Sequence, residues 1–320
     1  MKAITQDAYG GTEMLSYTEV PTPDTGPDGV LVRVRAAGVD PSVWHIMTGE
    51  PRIARLALGL RRPRERVRGW DVAGIVEAVG PRVTEFKPGD EVFGTAPGSF
   101  AEFVCAPAAK FQPKPVRLGF EQAAALPISG MTALTGLRDA GRIEAGQKVL
   151  IIGASGGVGH LAVQLAKHYG TEVTGVCSGK SAEFVKELGA DHVIDYTTEK
   201  LTGHYDLILD IAGIRPLPQL RSLLTRTGTL VLVGGEGGGR ILGVLDRMLR
   251  AMVLSPFTRQ RLRALVSLPA PETLHTLAEL ATAGAVTPRI TRTYALPEAA
   301  AAIDALATGH SRGKAVLVVG

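Results

Sequence analysis

The chain has 320 residues, with 45% hydrophobic and 21% charged side chains and 35 Lys and Arg against 31 Asp and Glu. That balance excludes a disordered or fibrous chain, and a net charge of +4 is too small to indicate a nucleic-acid partner by itself. Two cysteines, Cys105 and Cys177, exclude a disulfide scaffold and a four-cysteine zinc site.

At about 150 residues per domain, two domains are expected. No apolar run reaches the length of about 18 residues that marks a membrane span. The opening MKAITQDAYG lacks the apolar stretch of a secretory leader. A soluble cytoplasmic protein without a membrane span is the expectation.

The first 120 residues read as short strands and turns. Val30–Ala36 alternates Val30, Val32 and Val34 with Leu31, Arg33 and Arg35, the pattern of a half-buried strand. Pro21, Pro23 and Pro27 before it mark a loop. Asp71–Val79 is a strand whose internal Gly74 points to a bulge or a close approach. Lys87–Asp90 (KPGD) is a turn before Glu91–Gly94.

Beyond residue 121 the pattern changes. Glu121–Leu126 and Met131–Ala140 have helical spacing, and Lys148–Ile152 (KVLII) fits a strand buried on both faces of a parallel sheet. Gly156–Tyr169 then places Val158, Leu161, Ala162, Leu165 and Ala166 on one helical face. Strand-like runs recur at Glu172–Val176, His192–Ile194, Asp206–Ile211 and Thr229–Val233, with helical segments at Ser181–Leu188 and Pro216–Leu224. The alternation argues for βαβ units and a doubly wound sheet. Gly234–Gly239 (GGEGGG) reads as a loop at a strand end. Leu242–Leu254 reads as an apolar helix, Arg261–Leu268 as a last strand, Glu272–Ala283 as a helix and Lys314–Val319 as a closing strand.

The residues that carry chemistry start at Gly153–Gly159, GASGGVG, between a strand and a helix. A dinucleotide needs a glycine-lined turn there, so that its pyrophosphate can meet backbone N–H groups at the positive end of the helix. Gly156 and Gly157 leave that approach open, and Gly159 lets the helix pack close to the strand. The alternative is a plain tight turn. An NAD site wants an acid at the end of the second strand. Here Val176–Ser181 (VCSGKS) has none. Ser178 can donate to a 2′-phosphate and Lys180 can pair with it, which favours NADPH over NADH. The alternative for Lys180 is a solvated lysine before a helix.

With these, Gly38-Val39-Asp40, Gly69–Gly74 (GWDVAG), Phe86–Gly94 (FKPGDEVFG), Ala154–Gly159 (ASGGVG) and Leu188–Tyr196 (LGADHVIDY) follow one another along the chain. This series resembles the medium-chain dehydrogenase/reductase superfamily over nearly the whole chain. Where its zinc alcohol dehydrogenases have a cysteine after Gly-Val, this chain has Asp40, and where they have Gly-His-Glu it has Gly69, Trp70 and Asp71. Thr95–Pro107 holds one cysteine, Cys105, instead of the four of the structural zinc lobe. The chain therefore looks like the zinc-free branch, similar to quinone oxidoreductases and zeta-crystallin, which reduce quinones or the C=C bond of enones with NADPH.

The resemblance implies an α/β fold: a GroES-like β-rich catalytic domain, residues 1–120 and 269–320, and a Rossmann NADP-binding domain with a doubly wound parallel sheet, residues 121–268. It places Thr132 near the nicotinamide, Ala154, Ser155, Gly156, Gly157 and Val158 at the pyrophosphate, Tyr196 beside the 2′-phosphate, and Val233 and Gly234 under the nicotinamide ring. Thr132 as a helix residue bonding backward, and Tyr196 as a half-buried core ring, are the bland alternatives. A homodimer is expected because dimers are common in this branch.

Three features depart from the branch or are left open by it. Asp40 stands where Asn is frequent. It is either a proton donor with a pKa raised by desolvation or the cap of a helix starting at Pro41. His45 is either a catalytic acid or structural, and Trp44 either stacks on a flat substrate or packs in the core. Pro51–Arg68 holds seven arginines against one acid, Glu65. It reads as a solvated loop, as a basic rim drawing in NADPH or an anionic substrate, or as a membrane or RNA contact. No aromatic residues interleave it, which speaks against single-stranded nucleic acid. Substrate walls are expected from loops around Trp44, Pro51–Arg68, Gly237–Gly239 and Phe257.

Two functions follow as expectations. One is an NADPH-dependent, zinc-independent reductase passing hydride to a small quinone or enone. The other is a non-catalytic NADPH-binding regulatory or RNA-binding protein. No metal is expected to be bound.

Overall fold

Two hydrophobic patterns run through the chain, one alternating and one continuous, and each builds its own sheet. The computed structural model describes residues 1–234, 245–266, 268–307 and 312–320. The chain separates into two units, Met1–Met131 with Pro269–Gly320, and Thr132–Leu268.

The first unit holds the alternating strands. Its larger sheet runs, neighbour to neighbour, Ile290–Ala295, Lys314–Val318, Gly29–Val39, Asp71–Val79, Glu91–Thr95 and Phe111–Pro113, and Phe103–Pro107 pairs with Gly29–Val39 off that path. Val30, Val32 and Val34 point into the core and are at most 1% exposed, while Arg33 is in solvent. One-sided burial is what an antiparallel sheet with a wet face requires. Gly74 lies opposite Val34, next to an irregular step in the ladder. A side chain at Gly74 would strike the Arg33 carbonyl, so the internal glycine marks both a close approach and a neighbouring bulge.

The core of this unit joins Val32, Val72, Val76, Phe100 and Phe111 with Val43 and Met47 of the helix Pro41–Thr48 and with Ile303 of the helix Ala299–Ala307. The sequence reading lacks that last helix, because its run of alanines (AAAAIDALA) has no sharp apolar stripe. The helix Phe120–Ala124, expected to open the other unit, belongs here. Ala123 and Ala124 are fully buried, and the absence of a side chain at Gly38 makes room for the Ala124 carbonyl.

The second unit holds the continuous strands in one six-stranded sheet, every pair parallel. In chain order they are Lys148–Ile152, Glu172–Cys177, His192–Asp195, Tyr205–Asp210, Leu224–Leu232 and Arg261–Ala264. In space the order is third, second, first, fourth, fifth, sixth, the arrangement of dinucleotide-binding sheets. Val149, Leu150, Ile151, Leu207, Ile208 and Leu209 are completely buried, as strands covered on both faces must be. The last strand is shorter than the expected Arg261–Leu268, since Val266 and Leu268 are exposed. The glycine-rich run 235–239 and the first residues of the expected helix at 242–254 lie outside the described residues; the helix is described as Leu245–Leu254. Among the described residues no helix is long and apolar enough to cross a membrane.

Gly159 opens the helix Gly159–His168, and a Cβ there would collide with the Gly153 carbonyl oxygen. Backbone cannot yield as a flexible side chain can, so Gly159→Ala is expected to destabilise the unit by about 1–3 kcal/mol, as other overpacked sites are. Urea unfolding measures this, and an unchanged midpoint would mean that the helix shifts away without cost.

Candidate active site

Because every strand of the second unit runs the same way, the loops that follow them leave from one edge. That edge gathers Ala154, Ser155, Gly156, Gly157 and Val158 after the first strand, Ser178 and Lys180 after the second, Tyr196 after the third, and Val233 and Gly234 after the fifth. The order reverses between the first and fourth strands, and ligands of such sheets bind at that reversal. Thr132 is half-buried on the helix Pro127–Leu134. It lies one turn before Gly136, where a Cβ would stand 3.9 Å from Val233 Cγ2.

The loop is closed by short bonds. Gly153 and Ala154 N–H both donate to the Val176 carbonyl (3.1 and 3.0 Å), Gly156 N–H donates to Gly153 (3.1 Å), and His160 N–H donates to Gly156 (3.0 Å). Ala154 is buried, whereas Ser155 through Val158 are half-buried. A Cβ on Gly156 would meet only the Gly153 oxygen at an ordinary 3.5 Å. The protein's own packing does not demand a glycine there, and the missing side chain leaves room for a ligand to come close to the backbone. This loop, at the N-terminus of a ten-residue helix, fits a pyrophosphate.

The second strand ends in half-buried Ser178 and exposed Lys180, and Tyr196 is 50% exposed. One acid at this place was not foreseen. Asp195 ends the third strand directly beside Cys177. Its carboxylate accepts from Thr197 Oγ1 (2.7 Å), Thr197 N–H (2.9 Å) and Thr198 Oγ1 (3.2 Å), and also from the N–H of Gly179. The bonds from Thr197, foremost, hold its pKa below the usual range. A search for an acid along the second strand misses it, because strand pairing delivers it from the third.

Asp210 ends the fourth strand, at the reversal itself, and is fully buried. It pairs with Arg247 of the helix Leu245–Leu254 and accepts the Gly213 N–H at 3.1 Å. Burial pushes its pKa up and Arg247 opposes that rise. The only sign in the sequence is an acid ending the apolar run LILD.

In the first unit, Asp40 caps the helix Pro41–Thr48, its Oδ1 accepting the Ser42 N–H at 2.9 Å. It is 2% exposed, and its Oδ2 has no hydrogen-bond partner among the described residues. The capping alternative is therefore realised. His45 is exposed, with Nδ1 3.2 Å from the Glu50 carbonyl. Trp44 is half-buried against the core. A cavity of about 250 Å³ has Val43 and Ile46 of the same helix, with Leu58, Val67, Arg68 and Trp70, in its wall. Trp70, at the position of histidine in the zinc enzymes, supplies the flat ring at the cavity that was expected of Trp44. Phe257, expected at a substrate wall, is 82% exposed in the second unit; Gly237–Gly239 lie outside the described residues.

The arginine-rich segment divides in three. Arg52, Arg61, Arg62, Arg64 and Arg66 are exposed, and Arg66 pairs with Asp7 at 2.6 Å. Arg55 donates to the Gly49 and Thr48 carbonyls (3.0 and 3.1 Å) and lies over the Tyr9 ring. Arg68 is buried, unlike a residue of a solvated loop.

Behind Trp70, Asp71 is fully buried. Its Oδ1 accepts the Ile128 N–H at 3.0 Å, and its Oδ2 lies 3.6 Å from Lys314 Nζ, which donates to Ser129 Oγ at 3.2 Å. Burial pushes the Asp71 carboxyl up to about 8; Lys314 and the Ile128 N–H oppose the rise and Asp40 adds to it. Among the described residues no three His, Cys, Asp or Glu side chains stand together as metal ligands. Cys105 is half-buried, its Sγ 3.9 Å from the Thr25 carbonyl.

Comparison with known proteins agrees with this geometry. Residues 26–116 match the alcohol dehydrogenase GroES-like domain and residues 188–317 match the zinc-binding dehydrogenase domain. The mitochondrial NAD(P)H oxidoreductase RTN4IP1 of Bos taurus is 33% identical, covering 100% of this chain and 89% of its own. The chloroplast envelope quinone oxidoreductase homolog of Arabidopsis thaliana is 31% identical over 99% of this chain and 98% of its own. The solved quinone oxidoreductase of Coxiella burnetii superposes with a TM-score of 0.83 at 33% identity, covering 100% and 99% of the two chains.

The buried Asp71 makes stability depend on pH. An unfolded aspartate ionises near pH 3.9, and the folded one near 8. Between those values the folded chain holds a proton that the unfolded chain has lost, so stability falls as pH rises. Asp71→Asn mimics the protonated carboxyl and cannot titrate. The wild-type melting temperature, relative to this variant, is expected to fall steadily from pH 5 to pH 8; parallel profiles would refute the assignment.

Proposed function

Because the chain belongs to the medium-chain dehydrogenase/reductase superfamily, in its quinone oxidoreductase branch, we propose that it passes hydride from NADPH to a quinone or to the activated C=C bond of an enone. That it is an oxidoreductase working with a nicotinamide cofactor follows from the family. The choice of NADPH and of acceptor is our reading.

The observation that carries it is the Gly153–Gly159 loop, open on one side at Gly156 and set at the N-terminus of a helix where the strand order reverses. When bound there, the nicotinamide cofactor supplies the hydride and therefore the hard chemistry. The chain's own part is to bind, orient and shield. Backbone N–H groups of Ser155, Gly157 and Val158 take the pyrophosphate, the Gly156 N–H being engaged by Gly153. Ser178 donates to the 2′-phosphate, Lys180 pairs with it, and Tyr196 lies against the adenosine. Asp195 accepts from Thr197, Thr198 and the Gly179 N–H, which holds it ionised, so Lys180 has to offset its charge for a 2′-phosphate to bind beside it. Thr132, Val233 and Gly234 border the nicotinamide.

The acceptor takes the apolar cavity beside Trp70, which keeps water from the reacting carbon. Quinones and enones are activated, so no metal is needed to polarise their oxygen. Asp40, Trp70 and Asp71 stand where the zinc enzymes have ligands, and this set offers neither thiolate nor imidazole. The final proton comes from water: Asp40 is engaged as a cap and His45 is exposed. A cytoplasmic location and a homodimer complete the reading; Leu249, Met252 and Val253 leave an exposed apolar face on the helix Leu245–Leu254.

Calorimetric titration should give tight binding of NADPH and weak binding of NADH, and Lys180→Ala should weaken NADPH by about ten-fold while leaving NADH unchanged, the usual scale for a charge-assisted contact. Equal affinities in the wild type would overturn the NADPH assignment. NADPH oxidation with 9,10-phenanthrenequinone and 1-octen-3-one tests the reaction; no turnover with either would sink it. Metal analysis of fully active protein is expected to find no stoichiometric zinc, and one zinc per chain, lost together with activity in chelator, would overturn the zinc-free assignment.

A further inference from the structure

The segment from Arg52 to Arg66 turns its charges and three large apolar side chains to the outside. Arg52, Arg61, Arg62, Arg64 and Arg66 are exposed, against one acid within the segment, Glu65. Arg66 is paired with Asp7, while Arg52, Arg61, Arg62 and Arg64 form no ion pair among the described residues. Leu56 and Leu60 are 68% and 69% exposed, and Ile53 is 40% exposed.

This exposure is built into the backbone. The helical turns Arg52–Ala54 and Arg55–Leu58 are anchored by Arg55, which donates to the Thr48 and Gly49 carbonyls and lies over the Tyr9 ring; Tyr9 in turn donates to the Gly59 carbonyl at 2.6 Å. Beyond them the chain folds back on itself. The Arg64 N–H donates to the Leu58 carbonyl at 2.8 Å, Pro63 is buried, and a Cβ on Gly59 would strike the Arg62 carbonyl oxygen. Leu60, Arg61 and Arg62 therefore form the tip of a closed loop, and among the described residues nothing covers that tip. The end of the segment is tied down where the Gln6 N–H donates to the Arg66 carbonyl at 2.8 Å and Thr5 bridges to Val67.

Leucine left in water forgoes the free energy that burial provides, and clustered arginines repel one another. A bilayer containing anionic lipids relieves both at once. Its headgroups take the guanidinium groups, and the leucines enter the boundary between headgroups and acyl chains. Nucleic acid would satisfy the arginines alone, and the segment has no aromatic ring to stack on a base. We propose that residues 52–66 form a docking surface for an anionic lipid bilayer, with Arg52, Arg61, Arg62 and Arg64 on the headgroups and Leu56 and Leu60 inserted between them. The contact is peripheral. It needs neither cofactor nor acceptor, so it stands or falls separately from the reductase reading.

The full chain is tested by co-sedimentation with vesicles of phosphatidylcholine alone and of an equal mixture of phosphatidylcholine and phosphatidylserine. The wild type is expected to bind the mixed vesicles about ten-fold or more tightly than the neutral ones. Raising salt from about 0.1 M to 1 M, which shortens the screening length from about 10 Å to 3 Å, should release most of it. Arg61→Gln/Arg62→Gln should weaken binding by about twenty-fold, at roughly five-fold per arginine near an anionic surface. Arg61→Lys/Arg62→Lys, which keeps the charge, should bind nearly as the wild type does. Leu56→Ser/Leu60→Ser should weaken binding by about ten-fold or more. All four side chains are exposed, so these variants should melt with the wild type, and the wild type's own preference for anionic vesicles and its release by salt do not depend on any variant. Equal binding to both kinds of vesicle, or undiminished binding by either the glutamine or the serine variant, would overturn the proposal. Tight binding of poly(U) RNA that the serine variant retains in full, with no binding to mixed vesicles, would assign the segment to nucleic acid instead.

Discussion

The second unit depends on one constraint: a parallel strand cannot turn straight back into its neighbour. Each must cross over before the next begins. Six strands laid this way carry all their carboxyl ends to one edge, so residues far apart in the sequence, from Ala154 to Gly234, are collected there. The constraint also requires burial on both faces, which is why Lys148–Ile152 and Tyr205–Asp210 read as near-continuous apolar runs. Fold and strand-end edge thus have a single cause. Gly159 answers to the crowding of helix against strand, whereas at Gly156 the packing leaves room for a side chain.

The first unit is governed by buried charge. Its two chain segments, separated by the whole of the second unit in sequence, are joined where the strand Lys314–Val318 pairs with Gly29–Val39 and where Lys314 reaches Asp71 and Ser129. That junction closes the β-rich unit around the point where the intervening residues are inserted. Arg68, three residues before Asp71, is buried without any such answer. The contrast is informative. Lys314 meets a carboxyl and a hydroxyl, whereas the Arg68 guanidinium is buried with no hydrogen-bond partner among the described residues. The same segment supplies Trp70 to the wall of a cavity.

Much of this was legible in advance where a pattern is local. The strand–GASGGVG–helix run, the alternation at Val30–Val34 and the proline start after Asp40 are each set by neighbouring residues, and backbone geometry converts them directly into structure. The helix Ala299–Ala307 was not legible, because alanine favours helix without marking a face. The limit between the units was displaced for a related reason: helical spacing at Phe120–Ala124 says what forms, not which core it covers.

What the sequence determined by itself was therefore the class of fold and the glycine loop, since these depend on residue type and short spacing alone; the lack of a thiolate and an imidazole at the zinc positions was legible only through the family resemblance that locates those positions. What only the tertiary structure decided were the meetings: Asp195 beside Gly179 by strand pairing, Arg247 upon Asp210, Lys314 beside Asp71 and Ser129, and the burial of Arg68. Each depends on burial and on contacts across tens to hundreds of residues. Desolvation, which turns an ordinary aspartate or arginine into a group with chemistry, has no signature in a run of neighbouring letters.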